Sequence, residues 1–296
     1  MSEANKTTVS LVLGSGGARG LAHIGVIHWL EEHGYAIKSV SGTSIGSLIG
    51  GVYATGKLGV LEAWMRALTK TDMLALMDIA WKRDGILKGD KLFGVLAELI
   101  GDELIEALPI PFTAVAFDIH KEKEIWLQNG RLFDAIRASC SIPLVLTPVT
   151  HGSGTLIDGG IINPVPIAPT FGDGSDLIVA VNLGGPPSER PPVERAEPPA
   201  GASPAIKRKI ASFIKSLSIP PVIHRERGMS PALIYYLSID AMQSAIARQK
   251  IAAYPPDKLI EVPRNACGTM DFDRAAELIE LGYEAAEAAL GHPSDF

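Results

Sequence analysis

Cysteine is nearly absent from this chain. Its two cysteines, Cys140 and Cys267, stand far apart and share no metal-ligand spacing. They read as reduced core thiols, not as a disulfide framework. Long apolar runs are missing as well. None approaches the ~18 residues needed to cross a bilayer, and residues 1–6 hold no apolar targeting region. A cytoplasmic protein is expected. Positive charge is in deficit: the net charge of −6 argues against nucleic-acid binding. There is no Gly-Lys-Ser/Thr phosphate loop and no internal repeat. Apolar residues are plentiful. At 47% hydrophobic, the 296 residues can build one large α/β domain or two small ones.

The chain is organised around Gly42-Thr43-Ser44-Ile45-Gly46. A strand-like run, residues 36–41, precedes it, and a helix-like run, residues 47–55, follows. Strand, Gly-x-Ser-x-Gly, helix is the context of a nucleophile elbow. Glycines on both sides of the serine let the two arms of a strained turn pass closely. The elbow is expected to expose the Ser44 hydroxyl at a helix N-terminus, where the dipole favours developing negative charge. The bare pattern also describes a glycine-rich turn with a capping serine, so a second feature is needed.

That feature lies one βα unit upstream. Residues 10–13 read as a buried strand, and a helix spans about 21–32. Between them runs Gly14-Ser15-Gly16-Gly17-Ala18-Arg19-Gly20. Such a turn presents backbone N–H groups to an anion. Both turns fall at the carboxyl ends of adjacent parallel strands, where open α/β sheets place ligands. An anion cradle beside a serine nucleophile is an oxyanion hole. A dinucleotide-binding loop fits less well. Glycines 14, 16 and 20 miss Gly-x-Gly-x-x-Gly by one, and the second strand ends in Ser41, not in a ribose-binding acid.

With a third block, Asp158-Gly159-Gly160, and the helix-to-Ile-Pro segment Ile136-Arg137-Ala138-Ser139-Cys140-Ser141-Ile142-Pro143, the chain resembles the patatin-like phospholipases of the compact bacterial kind. The resemblance covers roughly residues 8–185. It implies a three-layer α/β fold, with a mostly parallel sheet covered by helices and a helical C-terminal extension. It implies Ser44 as nucleophile, Asp158 as its partner in a Ser–Asp dyad, and an oxyanion hole from the amides around Gly16, Gly17 and Arg19. Gly14, Gly20, Gly42, Gly46, Gly159 and Gly160 complete the motifs. Ser15 departs from the pattern, standing where the family usually has the first of three glycines. No metal or cofactor is implied. The implied activity is hydrolysis of carboxylic esters in (lyso)phospholipids or other acyl lipids. The rival reading is a catalytically weak regulatory or binding protein that keeps the fold.

A Ser–Asp pair has a physical requirement. An aspartate in water, with a pKa near ~3.9, is a poor base for a hydroxyl. Burial makes its charge costly and raises its basicity. From pattern alone, Asp158-Gly159 is also a common turn dipeptide. A triad in α/β-hydrolase order would need a histidine after the aspartate, leaving only His224 and His292, and too few strands precede the elbow. His23, His28 and His33 fall on the first helix, where solvent or helix-end positions are expected. For Arg19, bracing of the loop is a simpler role than binding a substrate phosphate.

The remaining strands are expected at 111–117, 124–127, 155–157, 176–183 and 257–262. Further helices are expected at 58–68, 90–100, 132–139, 230–253 and 271–290. Residues 72–81 read as a buried helix or the wall of an acyl-chain pocket. The catalytic domain is placed at 8–185, a proline-rich linker at 186–204, and a mainly helical part packing on the core at 205–296. Within that part, residues 205–217 put Ile206, Ile210, Phe213, Ile214 and Leu217 on one helical face. Their only charges are Lys207, Arg208, Lys209 and Lys215. This is either a surface helix or a flap contacting anionic lipid on the inner membrane face.

Overall fold

The computed structural model describes residues 6–69, 72, 89–189 and 231–291. The runs 73–81 and 205–217, and His224 and His292, lie outside the described residues.

In chain order the elements are β1 (Thr8–Leu13), α1 (Ala22–Glu32), β2 (Ala36–Thr43), α2 (Ile45–Ala54), α3 (Leu58–Ala67), α4 (Asp90–Ile100), β3 (Phe112–Asp118), β4 (Lys123–Leu127), α5 (Leu132–Ser139), β5 (Val149–His151), β6 (Gly154–Asp158), β7 (Leu177–Gly185), α6 (Pro231–Ala253), β8 (Lys258–Pro263) and α7 (Ala275–Leu290). The sheet runs β5-β6-β3-β2-β1-β7-β8, with β4 paired to β3. Strands β3, β2, β1, β7 and β8 are mutually parallel, and β4, β5 and β6 are antiparallel additions at one end. Val9, Leu11, Val12 and Leu13 of β1 are fully buried, as befits a strand covered on both faces. The expected mostly parallel, helix-covered sheet is what the chain forms.

Two features of the sheet set up everything that follows. The first is the edge of β3. Its residues 112–115 pair with β2, from Val40↔Phe112 to Thr43↔Val115. Its residues 116–118 pair with β6, beginning at Ala116↔Asp158. Residues 114–118 meanwhile pair with β4. Since β4 occupies one edge throughout, β2 and β6 share the other. Where β2 turns out of the sheet at Thr43, β6 takes its place. The second feature is that the C-terminal part contributes more than helices. Its β8 lies parallel to β7 inside the main sheet, and Leu278 and Ile279 of α7 are buried in the main core.

Helices α1 and α7 touch at backbone distance through Gly25 and Gly282. A Cβ on Gly25 would overlap the Ile279 carbonyl oxygen, and one on Gly282 the Ala22 carbonyl oxygen. Alanine gains about 1 kcal/mol of helix propensity over glycine, but forcing two packed backbones apart costs roughly 1–3 kcal/mol or more. Gly25→Ala is therefore expected to lower the urea midpoint of unfolding. Gly94→Ala, on α4 with nothing within 4 Å of a new Cβ, is expected to raise it. Equal shifts in the two variants would contradict this packing.

Candidate active site

The elbow is built as a strained turn. Ser44 has φ 56 and ψ −125, a left-handed conformation rare for a side-chain-bearing residue. The two arms cross where Gly42 and Gly46 face one another: a Cβ on Gly42 would overlap the Gly46 carbonyl, and one on Gly46 the Leu13 carbonyl. The strain is held by a two-step brace. The Ser44 N–H donates to Ser139 Oγ at 3.0 Å, and the Ser139 hydroxyl donates to the Val115 carbonyl at 2.6 Å. Thr43 Oγ1 donates to the Asn163 carbonyl at 3.0 Å.

Asp158 ends β6, one register step along β3 from the pair that holds Thr43. The shared edge therefore brings the aspartate to the serine across 114 residues of chain, close enough for the Ser44 hydroxyl to favour the charged Asp158 carboxylate. Asp158 Oδ1 also accepts the Gly160 N–H at 2.7 Å, capping the short turn Gly159–Ile161. The carboxyl is 2% exposed. Burial pushes its pKa up to about 6, against the lowering effect of the Ser44 and Gly160 hydrogen bonds. Cys140 lies close by, and burial together with the Asp158 charge pushes its thiol pKa up, so it stays protonated.

The segment after Asp158 ties the glycine loop to this pair. The Ser15 N–H donates to the Pro164 carbonyl at 2.8 Å, and the Gly14 N–H to the Val181 carbonyl at 3.1 Å. Gly17 sits at φ 59, where a Cβ would overlap the Thr269 methyl, so the position requires glycine. Among the described residues no hydrogen-bond partner is found for the Gly16 or Gly17 N–H. Arg19 lies in the 3-10 turn Gly17–Leu21, where amides are used in i→i+3 bonds. Its guanidinium is buried and braces the loop. Nε donates to the Gly16 carbonyl at 3.1 Å and one terminal nitrogen to the Arg264 carbonyl at 2.9 Å. The other pairs with Asp240 of α6. Gly20 leaves room for the Ile45 side chain.

Three placements differ from expectation. Ser44 is not exposed: only 4% of it reaches solvent, because α6 crosses above the elbow. The remaining cleft is lined by Tyr235, Ile239, Asp240 and Gln243 of α6 together with Ser15, Gly17, Ser44 and Asp158, and holds about 30 Å³. His23 is not at a solvent position either. It is fully buried where α1 packs beneath the loop, its Nε2 lies 2.8 Å from the Gly14 carbonyl, and desolvation lowers its pKa to about 4. It is a neutral prop. Sequence reasoning also missed the α6 contribution. Asp240 and Gln243 belong to no local motif, and only the tertiary fold brings them to the loop.

A twisted, mostly parallel sheet with a strained serine where one strand leaves it, and a buried carboxylate where another enters, has the architecture of an α/β hydrolytic protein. The chain belongs to the patatin-like phospholipase family: residues 11–171 match that family's model. That membership places it among lipid hydrolases. An uncharacterized NTE family protein of Mycobacterium tuberculosis is 37% identical over 330 residues, covering 95% of this chain and 91% of its own. Lysophospholipase NTE1 of Coccidioides immitis is 30% identical over 282 residues, which is 94% of this chain and 17% of that one. Among solved structures, VipD from Legionella pneumophila aligns with a TM-score of 0.45 at 14% identity, over 96% of this chain and 66% of its own.

Proposed function

We propose that this protein is a serine acyl hydrolase acting through a Ser44–Asp158 dyad on the carboxylic esters of lysophospholipids or closely related acyl lipids. The observation that carries the reading is a strained Ser44 set beside a buried carboxylate in one cleft, the carboxylate made more basic by its burial. Asp158 takes the hydroxyl proton as Ser44 attacks the ester carbonyl. The Gly16 and Gly17 amides receive the developing oxyanion, helped by the N-terminal dipole of α2. The role we assign to Arg19 is to hold that loop in shape against α6. Asp158 passes that proton to the leaving oxygen as its bond to the acyl carbon breaks, the alcohol departs, and water releases the acyl group from Ser44. The preference for lysophospholipid is supported by the relatives named lysophospholipase.

Among the described residues no helix is long and apolar enough to cross a membrane. The cleft is nearly full, and an acyl chain enters only when side chains of α6 give way. The test is release of fatty acid from a lysophospholipid as a function of pH. The base must be ionised to accept a proton, so turnover is expected to rise with pH through about 6 and to level off above it. A profile flat across that range would assign the proton to another group. Intact hydrolysis of a short ester with no fatty acid released from lysophospholipid would move the substrate to another acyl class.

A further inference from the structure

The loop residue that departs from the family pattern has an unusual environment. Ser15 Oγ is buried and has no hydrogen-bond partner among the described residues, although its own backbone is anchored by the 2.8 Å bond to Pro164. A buried, unpaired hydroxyl costs about 1–3 kcal/mol. Its surroundings show what it faces. Gly160 has no side chain, and the point where its Cβ would lie is 2.8 Å from Ser15 Oγ, 2.9 Å from Gln243 Nε2 and 3.0 Å from Asp158 Oδ1. Three polar groups thus converge around Gly160, where any side chain would collide with them. All three line the cleft above Ser44, whose volume of about 30 Å³ is enough to hold water.

Building on the hydrolase reading above, we propose that Ser15 and Gln243 hold the water that hydrolyses the acyl-enzyme. Their valences fit that task. The water donates one O–H to Asp158 Oδ1 and the other to Ser15 Oγ, and accepts an N–H from Gln243 Nε2. One lone pair remains for attack. Once Ser44 carries the acyl group it no longer has a proton for Asp158, so the carboxylate is free to serve the water. The water oxygen bonds to the acyl carbon as its proton passes to Asp158. The tetrahedral intermediate then collapses with cleavage of the bond to Ser44 Oγ, and Asp158 returns the proton to that oxygen. The products are a carboxylic acid and the regenerated hydroxyl. The water-holding pair acts in deacylation alone, because acylation needs no water.

The experiment separates the two half-reactions. Ser15→Ala and Gln243→Met are compared with wild type on p-nitrophenyl butyrate, an ester whose leaving group makes acylation fast. Samples quenched in acid during turnover are weighed by intact-mass spectrometry, and the rate of labelling by a fluorophosphonate is measured alongside. Each variant is expected to lose turnover on the order of tenfold, the effect of one lost hydrogen bond. Each should accumulate the acylated form and label within about twofold of the wild-type rate, as a variant with intact acylation does. Ser15→Thr, which keeps a hydroxyl, should restore much of the turnover. Unchanged turnover would overturn the proposal, and so would a parallel loss of turnover and labelling without accumulated acyl-enzyme. Failure of the underlying reading looks different: wild type itself would neither label at Ser44 nor depend on it.

Discussion

Ser44→Ala is expected to abolish both fluorophosphonate labelling and ester hydrolysis, with turnover falling by a factor on the order of 10⁵–10⁶, as when a dyad or triad nucleophile is removed. The fold should survive. Alanine occupies the same backbone conformation with the same Cβ, and the Ser139 brace acts on the Ser44 amide, which is retained. What disappears is the hydroxyl's interaction with Asp158, worth about 1 kcal/mol. Ser44→Gly makes a useful companion. It is equally inactive but relieves a residue held at φ 56, and should be more stable than the alanine variant by roughly 1 kcal/mol or more. Hydrolysis retained at the wild-type level in either variant would remove Ser44 from the mechanism, whereas a wild type that neither labels nor hydrolyses would leave the non-catalytic, binding-protein reading in possession.

Asp158→Asn should produce an enzyme that is dead yet harder to melt. Turnover falls by several orders of magnitude because an amide cannot accept the serine proton. The stability effect follows from the sign of the pKa shift. The folded carboxyl titrates near about 6, above the ~3.9 of an unfolded aspartate. Between those values the folded chain binds the proton more tightly than the unfolded one. Stability from this group is therefore present at low pH and lost as pH rises toward the folded value, by on the order of 3 kcal/mol in alkaline solution. Asparagine keeps the shape without the buried charge. Melting curves at pH 8 should place Asp158→Asn above wild type, and the gap should close near pH 4. A variant less stable than wild type at both pH values would show that the carboxylate is better solvated than its burial indicates.

Much of the fold was legible because its signals are local. The apolar run at 10–13 falls within β1, that at 176–183 overlaps β7 from Leu177 on, and α4 and α5 occupy the expected spans. The strand-loop-helix context of Gly14 to Gly20 and of Gly42 to Gly46 also stands as read. The short β5 went unseen because three residues, two of them exposed, carry no period. The burial of Ser44 was illegible for a different reason. It depends on α6, whose sequence shows only a long helix, and on pairings such as Arg19–Asp240 that join positions 221 residues apart. Ser139 lay within a segment whose resemblance was noted, yet nothing in the segment says that its hydroxyl would bond the Ser44 amide. Such side-chain bonds between distant strands and helices have no period to betray them.

The shared edge of β3 has a further consequence. Backbone pairing fixes the two anchors of the site: Thr43, the residue before Ser44, opposite Val115, and Asp158 opposite Ala116. Their separation is therefore quantised. It changes only in strand-repeat jumps of about 3.3 Å, each of which also flips the side chain to the other face of the sheet. No gradual drift in the packing around the sheet can stretch or compress the pair. Changes that reshape the cleft can therefore be made in α6, which lines it from above, while the spacing set by the strands stays digital.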